Sequence, residues 1–283
     1  SSYIQDVTQK AADADAEVTR ELRRAGINEN IGNINAVNEL LATGELMAYT
    51  RALKGKGIGS ADKSGHNHAD KNNSSKAAYI DSSEKLSDVL SGREKLEALY
   101  TNLEEAAGDE LEEAIESSLT DTDETPVDYD TFEELRISNR QIRYISNLAR
   151  KNDYRIPYVK NGKAGLINLT FLSDSSDKGK ISIKMDTEAY GELSMEAKIT
   201  GKDISLFVKQ NSNTVHPDDR SIYKSFEELE NVLKLQHGMN SVRINTVRVP
   251  DVNYVTYENS GASVPADELY RIAQSVTGVF FGK

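Results

Sequence analysis

An α+β architecture is predicted by this sequence, with a helical N-terminal region of short hairpins or a bundle ahead of a mainly antiparallel sheet packed with helices. Three observations carry the prediction. Apolar residues recur at three- and four-residue steps as far as about residue 150 and then switch to single alternation. The switch is followed at once by Asn161-Gly162 between two β-rich runs, a strong short hairpin signal. Two later segments, Ile222–Leu233 and Leu269–Val279, return to helical steps, so helices remain to cover the sheet.

Taken in order, residues 1–25 read as one amphipathic helix, with Ile4, Val7, Ala11, Ala14, Val18 and Leu22 on its seam and Gly26 as its stop. Ile34, Val37, Leu40 and Leu41 before Gly44, then Leu46, Met47 and Leu53, predict two further short helices folding back on it. Gly55 to Ser75 is Gly, Ser, Lys, Asn and Asp with hardly an aliphatic, too little apolar surface to offset the entropy of ordering, and the stretch over 55–80 reads as a flexible linker. Helical signals resume after Asp81, with Glu84 as its capping-box partner. Leu86, Val89, Leu90, Leu96, Leu99 and Leu103 form a stripe that Leu111, Ala114 and Ile115 continue past Gly108. An acidic break with Pro126, Asp121 to Asp130, separates this from a helix beginning near Thr131, which carries Phe132, Leu135, Ile142, Ile145 and Leu148 on one face and Arg136, Arg140 and Arg143 on another.

Strands are predicted at the β-rich runs Ile156–Val159 and Leu166–Leu172, and then at Ile181–Met185 and Leu193–Ile199, the last two with strict alternation. Thr200-Gly201-Lys202 turns the chain into Ile204–Val208. After a helix ended by Gly238, Val242, Ile244, Val247 and Val249 make a strand whose parity slips at Asn245-Thr246, which predicts a bulge. The last helix is expected to start at Pro265. The expected organisation is a helical module over 1–54, a linker over 55–80, a helical region with an acidic stretch over 81–152, and an α+β domain over 153–283.

Composition narrows the function. The 283 residues have a net charge of −12 and a mean hydropathy of −0.57. That acidity argues against a general nucleic-acid or anionic-membrane binder, because phosphate contacts need clustered Lys and Arg. With no cysteine there is no disulfide, thiolate nucleophile or Cys-based metal site. No run of about 18 apolar residues is present, so no membrane-spanning helix is expected. The first 25 residues lack signal-peptide character, and the absence of an initial Met suggests a processed product or a segment of a longer chain.

Sites for chemistry are sparse. His66, His68 and Asp70 lie in the predicted linker, which offers no fixed geometry for a metal. His216 reads as part of a helix-entry turn, and His237 as a residue beside a helix end, where a cation is favoured. Gly55–Ser60 has neither the strand before it nor the helix after it that a phosphate loop needs. A calcium loop starting at Asp121 fails because Pro126 stands where glycine is required. A glycosidase-like carboxylate pair usually comes with aromatic platforms, whereas this chain has no Trp and only 7% aromatics. No catalytic, cofactor or metal residue is therefore assigned. The residues from Leu96 to Leu135 hold no basic side chain between them, and the arginine stripe follows immediately. Both read as solvated faces, or as a docking surface for each other or for a partner.

The span Lys180 to Val249 resembles the C-terminal domain of the flagellar hook-length control family. That pattern is an alternating strand, a Pro-Glu-x-Leu-Gly turn, a second alternating strand, a further strand, a helix and a closing strand. Ile181, Ile183 and Met185 supply the first alternation, Thr187-Glu188-Ala189-Tyr190-Gly191 stand at the turn, and Leu193, Met195 and Ala197 follow. Leu229, Leu233 and Gly238 match the helix and its glycine, and Val242, Ile244 and Val247 the last strand. Thr187 stands in place of the motif's proline and Tyr190 in place of its leucine. The segment Tyr154 to Leu172 is similar to bacterial proteins that carry this domain after short helical hairpins.

The resemblance implies a non-enzymatic interaction protein. In the family this domain contacts the cytosolic part of the export gate of the flagellar type III secretion system, and helps switch export from hook to filament subunits. The N-terminal part acts as a secreted length gauge, usually extended, so the helix-rich N-terminus here favours the contact role over the ruler role. The implied partner-binding residues are Asp186, Thr187, Glu188, Tyr190 and Gly191. A polar turn at a sheet end would, on physical grounds, present Glu188 and Tyr190 to a partner. The implied location is the cytoplasm, with export by the flagellar system as an extension. The competing expectation is a cytoplasmic scaffold or regulator without a secretion role, followed by a cell-surface binding module and by an enzyme with an unrecognised site.

Overall fold

Helix ends follow the capping chemistry written in the chain. In the computed structural model, which describes residues 16–51, 80–119, 129–175, 178–213, 220–250, 252 and 267–281, the helical elements before the sheet are α1 (Ala16–Ala25), α2 (Ile31–Thr43), α3 (Ser83–Val89), α4 (Arg93–Leu119) and α5 (Tyr129–Ala149). They are followed by β1 (Asp153–Lys160), β2 (Lys163–Ser175), β3 (Lys178–Thr187), β4 (Gly191–Thr200), β5 (Asp203–Asn211), α6 (Arg220–His237), β6 (Ser241–Val249) and α7 (Asp267–Phe281). The α+β class expected from periodicity is the class observed. The linker over 55–80 falls almost wholly outside the described residues, as do the first 15 residues and the Pro265 helix start.

The chain separates into two units that interleave along the sequence, one from 1–79, 99–147 and 157–165 and the other from 80–98, 148–156 and 166–283. This division does not follow the predicted domain limits. Residues 80–98, with α3 and the first turns of α4, group with the sheet, and the tip of the β1–β2 hairpin groups with the helices. The reason is packing: α7 lies against α3, where Gln274 Nε2 donates to the Ser87 carbonyl at 2.7 Å and to its hydroxyl at 2.9 Å.

In the helical unit, α1 ends in a Schellman motif. Gly26 adopts φ +70°, its N–H reaches the Arg23 carbonyl, and the Ile27 N–H reaches the Leu22 carbonyl at 2.9 Å. Asn30 caps α2 by accepting from the Asn33 N–H, and Gly44 at φ +68° closes it onto Leu40. Of the residues the periodicity marks, Leu41 is 39% exposed, while those brought inward include Val18 and Leu22 from α1, Val37 and Leu40 from α2, Leu46 after it, and Leu103 and Ile145 from α4 and α5. Tyr49, which it does not mark, is buried with them. Full burial of each such side chain contributes about 1.5–3 kcal/mol before entropy is counted.

The second unit is built on a six-stranded sheet of order β1-β2-β3-β4-β5-β6. Asn161 and Gly162 both have positive φ, as a two-residue hairpin turn requires. β2–β3, β3–β4 and β4–β5 are antiparallel, and the α6 crossover returns β6 parallel to β5. β5 shows how the sheet is sided: Ile204, Leu206 and Val208 are buried while Ser205 and Phe207 are exposed. On the opposite face from the core, Lys184–Glu192 at 2.6 Å and Lys209–Glu196 at 2.8 Å form a charged ladder. Two aromatic groups anchor the helices. Phe171 and Tyr270 have ring centroids 4.4 Å apart, with the Tyr154 and Tyr270 hydroxyls 3.1 Å apart, and Phe280 packs between Tyr190 and Phe226.

Two local expectations are corrected. The predicted bulge at Asn245-Thr246 is absent: β5 and β6 pair without interruption from Asp203↔Ser241 to Asn211↔Val249. The parity slip instead leaves Val247, in the edge strand, 37% exposed. A register shift does occur in β2, between Ser173 and Ser175. The α3 cap is Ser82, whose hydroxyl accepts from the Lys85 N–H, and Asp81 pairs with the Lys85 ammonium at 2.8 Å.

Candidate functional site

The turn singled out from sequence closes the β3–β4 hairpin. Thr187 pairs with Gly191, which has φ +65°, leaving Glu188, Ala189 and Tyr190 as the loop. A glycine in that conformation ends a three-residue hairpin loop without the strain a side chain would bring. Thr187 braces the turn from within: its hydroxyl donates to the Gly191 carbonyl at 3.0 Å and accepts from the Tyr190 N–H at 3.1 Å. Asp186, Glu188 and Ala189 are exposed.

Tyr190 does not point outward. It is 5% exposed, its ring lies edge-on to Phe280, and its hydroxyl is 2.8 Å from that of Ser225 on α6. Its carbonyl accepts from Gln210 Nε2 on β5 at 3.2 Å. The expectation that the turn presents Tyr190 to a partner is therefore corrected. Burying the ring removes far more apolar surface from water than exposing it at a corner. Thr187 is likewise buried, and the side chains the corner offers are Asp186, Glu188 and Ala189.

The arginine stripe occupies a different place, in the helical unit. A cleft of about 470 Å³ opens between α5 and the α1–α2 connection, with Leu111 of α4 at its side. Arg136, Asn139, Arg140, Arg143 and Asn147 of α5 line one wall. Gly26, Ile27, Asn28, Asn30 and Asn33 line the other. Arg136 pairs with Glu133 one turn earlier, while Arg143 is exposed and forms no ion pair with another described residue. Arg140 rests on Gly32: a Cβ at that glycine would lie 2.5 Å from the guanidinium carbon. The connection itself is held by the pairing of Arg23 with Glu29 and by Asn33 Nδ2 donating to the Asn28 carbonyl at 2.9 Å.

Buried polar links brace this wall from behind. Gln141, fully buried, donates to the Ala36 carbonyl at 3.1 Å and accepts from the Met47 N–H at 2.8 Å. The Tyr144 hydroxyl donates to Glu21 at 2.7 Å, and Glu21 also receives both contacts of the Arg24 guanidinium, at 2.9 and 3.1 Å. Arg51 reaches Glu110 on α4 and Glu134 on α5, each at 3.4 Å. Burial holds the Glu110 carboxyl above its ordinary range, the nearby Arg51 charge opposing and Glu113 adding to the effect. None of Gln141, Glu21 and Tyr144 stands out in the sequence, because each reads as one more polar or aromatic position in a helix.

Neither His66, His68 nor Asp70 lies within the described residues, and the same holds for His216, for Gly55–Ser60 and for the acidic run 121–128. His237 is placed, and it links two helices: Nδ1 is 2.7 Å from Glu268 and Nε2 is 2.9 Å from Ser275, both on α7. Among the described residues no three His, Asp or Glu side chains gather in a way that could hold a metal ion, and no helix is long and apolar enough to cross a membrane. Set against family models, curated proteins and solved structures, the chain matches none of them.

Proposed function

We propose that this chain acts through protein contacts rather than catalysis, as a relative of the flagellar hook-length control proteins whose α+β domain docks on the cytosolic part of the export gate. On this reading it works in the cytoplasm and is itself open to export by the flagellar type III system. The observation that carries the proposal is the β3–β4 corner. Its two strands belong to one sheet, its loop is braced by Thr187 and tethered through Tyr190, and its outer surface is reduced to Asp186, Glu188 and Ala189. A rigid turn loses little conformational freedom on binding, which favours its use as a recognition point.

The test is a titration of the full chain against the export-gate cytosolic domain, with a charge-reversed corner, Asp186→Lys with Glu188→Lys, as the variant. The expected result is binding by the parent chain and a dissociation constant raised about tenfold or more in the variant, with unfolding free energy held within about 0.5 kcal/mol. Failure of the parent chain to bind, or indifference to charge reversal, overturns the proposal. The second reading is a scaffold or regulator without a secretion role, and the arginine-lined cleft of the helical unit favours it. That cleft lies on different elements from the corner and has its own polar chemistry.

A further inference from the structure

An acidic chain that gathers three arginines along one cleft has concentrated positive charge against its own average. The net charge is −12, yet Arg136, Arg140 and Arg143 share a single wall with Asn139 and Asn147. Their spacing of three and four residues keeps them on one side of α5. From Arg136 to Asn147 the helix rises about 16 Å, the length of about five residues of extended chain.

The facing wall is chemically matched to a peptide. Asn28, Asn30 and Asn33 lie opposite Asn139 and Asn147. A carboxamide carries both a donor and an acceptor, as does each peptide unit of an extended segment, whereas guanidinium groups take carboxylates in a two-pronged fashion. With the Asn30 Oδ1 capping α2 and the Asn33 Nδ2 on the Asn28 carbonyl, the groups these two offer are the Asn30 Nδ2 and the Asn33 Oδ1. Among the described residues the lining includes no aromatic one, so they offer no stacking platform of the kind on which single-stranded nucleic acid is held. A long polyanion would also run beyond these arginines, of which Arg136 is already paired with Glu133, onto an acidic molecule, and a short one would not.

Gly32 supplies an independent indication. It sits in the first turn of α2, where alanine would be the better helix former. What the missing side chain provides here is a seat for Arg140, whose guanidinium occupies the space a Cβ would need. The helix thus carries a glycine where the guanidinium of a cleft arginine lies against it.

We propose that this cleft binds a short acidic peptide segment of a partner protein in extended form, with its carboxylates on Arg140 and Arg143 and its backbone along the asparagine carboxamides. The site is separate from the β3–β4 corner, and its test does not involve the export gate.

The experiment is fluorescence anisotropy of the full chain with a labelled peptide of alternating Glu and Ala, beside the same peptide with Gln for Glu. Inorganic phosphate and a single-stranded oligonucleotide serve as competitors. Binding of the Glu peptide and not the Gln peptide is expected, weakened about tenfold in Arg143→Gln and in Gly32→Ala. Gly32→Ala displaces only the flexible end of a side chain and improves helix propensity, so its thermal midpoint should hold or rise while binding falls. Equal affinity for the Gln peptide, no binding at all, or unchanged affinity in both variants overturns the proposal. Displacement by millimolar phosphate, or stronger competition by the oligonucleotide, overturns it in favour of a phosphate ligand.

Discussion

The two units bury their interiors by different means. In the helical unit the core includes long-range polar links: Gln141 joins the backbone of Ala36 and Met47, and Tyr144 joins Glu21 and through it Arg24. In the sheet unit polar links such as Tyr190 to Ser225 and Gln210 to the Tyr190 carbonyl are accompanied by ring clusters, with Phe171, Tyr154 and Tyr270 in one group and Tyr190, Phe226 and Phe280 in another. The difference follows from geometry. Strands joined by a ladder leave few backbone groups unpaired, so their side chains are free to supply apolar area. Short helices expose the N–H groups of their first turns, and a side chain such as Gln141 meets one of them at Met47. Polar links also specify which helix faces which, because a misplaced partner leaves a buried group unpaired.

This contrast can be broken most severely at Phe171. Replacement by Ala should destabilise the chain by about 3–5 kcal/mol through lost burial and a residual cavity, measurable as a lowered denaturant midpoint. Gln141→Leu keeps the apolar volume but strands the Met47 N–H, while the Ala36 carbonyl keeps its place in the α2 ladder. A loss of about 1–3 kcal/mol is expected, and a loss under about 0.5 kcal/mol would show that the helical unit is held by apolar packing alone. Gly179→Ala places a methyl group 2.8 Å from Leu269 of α7 and 3.3 Å from the Leu172 carbonyl. Overpacking there should cost about 1–3 kcal/mol, and a double-mutant cycle with Leu269→Ala should show coupling of at least about 0.5 kcal/mol.

The smallest effect concerns Glu110 in the helical unit. Because burial raises its pKa in the folded state, folding favours its protonated form. The stability this contributes is present below the ordinary value of 4.5 and is lost as pH rises through the raised one. Glu110→Gln should therefore be slightly more stable than the parent at neutral pH, and the gap should close as pH falls below about 4. A gap independent of pH would place the effect elsewhere. Equilibrium unfolding across that range checks it.

Much of the sheet unit is legible in the chain because alternation has one solution once a face is buried: shifting a strand by one residue would turn Ile181, Ile183 and Met185 to the charged side. The Asn161-Gly162 turn and the stops at Gly26, Gly44 and Gly238 are legible for a related reason, since each is a backbone conformation that few other residues adopt cheaply. The candidate sites were less legible. Tyr190 sits in a polar turn and reads as surface, yet the sheet end lies close enough to α6 and α7 for its ring to be buried between Phe280 and Ser225. The arginine stripe is visible as a spacing, but the asparagines that face it come from residues more than a hundred positions earlier.

What the chain determined by itself is the class of architecture, the inward face of β3 to β5 and of much of the helices, and the turns, because these depend on periodicity and on backbone freedom within a few residues. The tertiary structure alone decided that Gln141 cross-links two helical segments, that Gly32 makes room for Arg140, and that Tyr190 belongs to the core. Each of these is a contact between residues far apart in sequence, and its energy depends on what lies opposite in space, which no local pattern encodes.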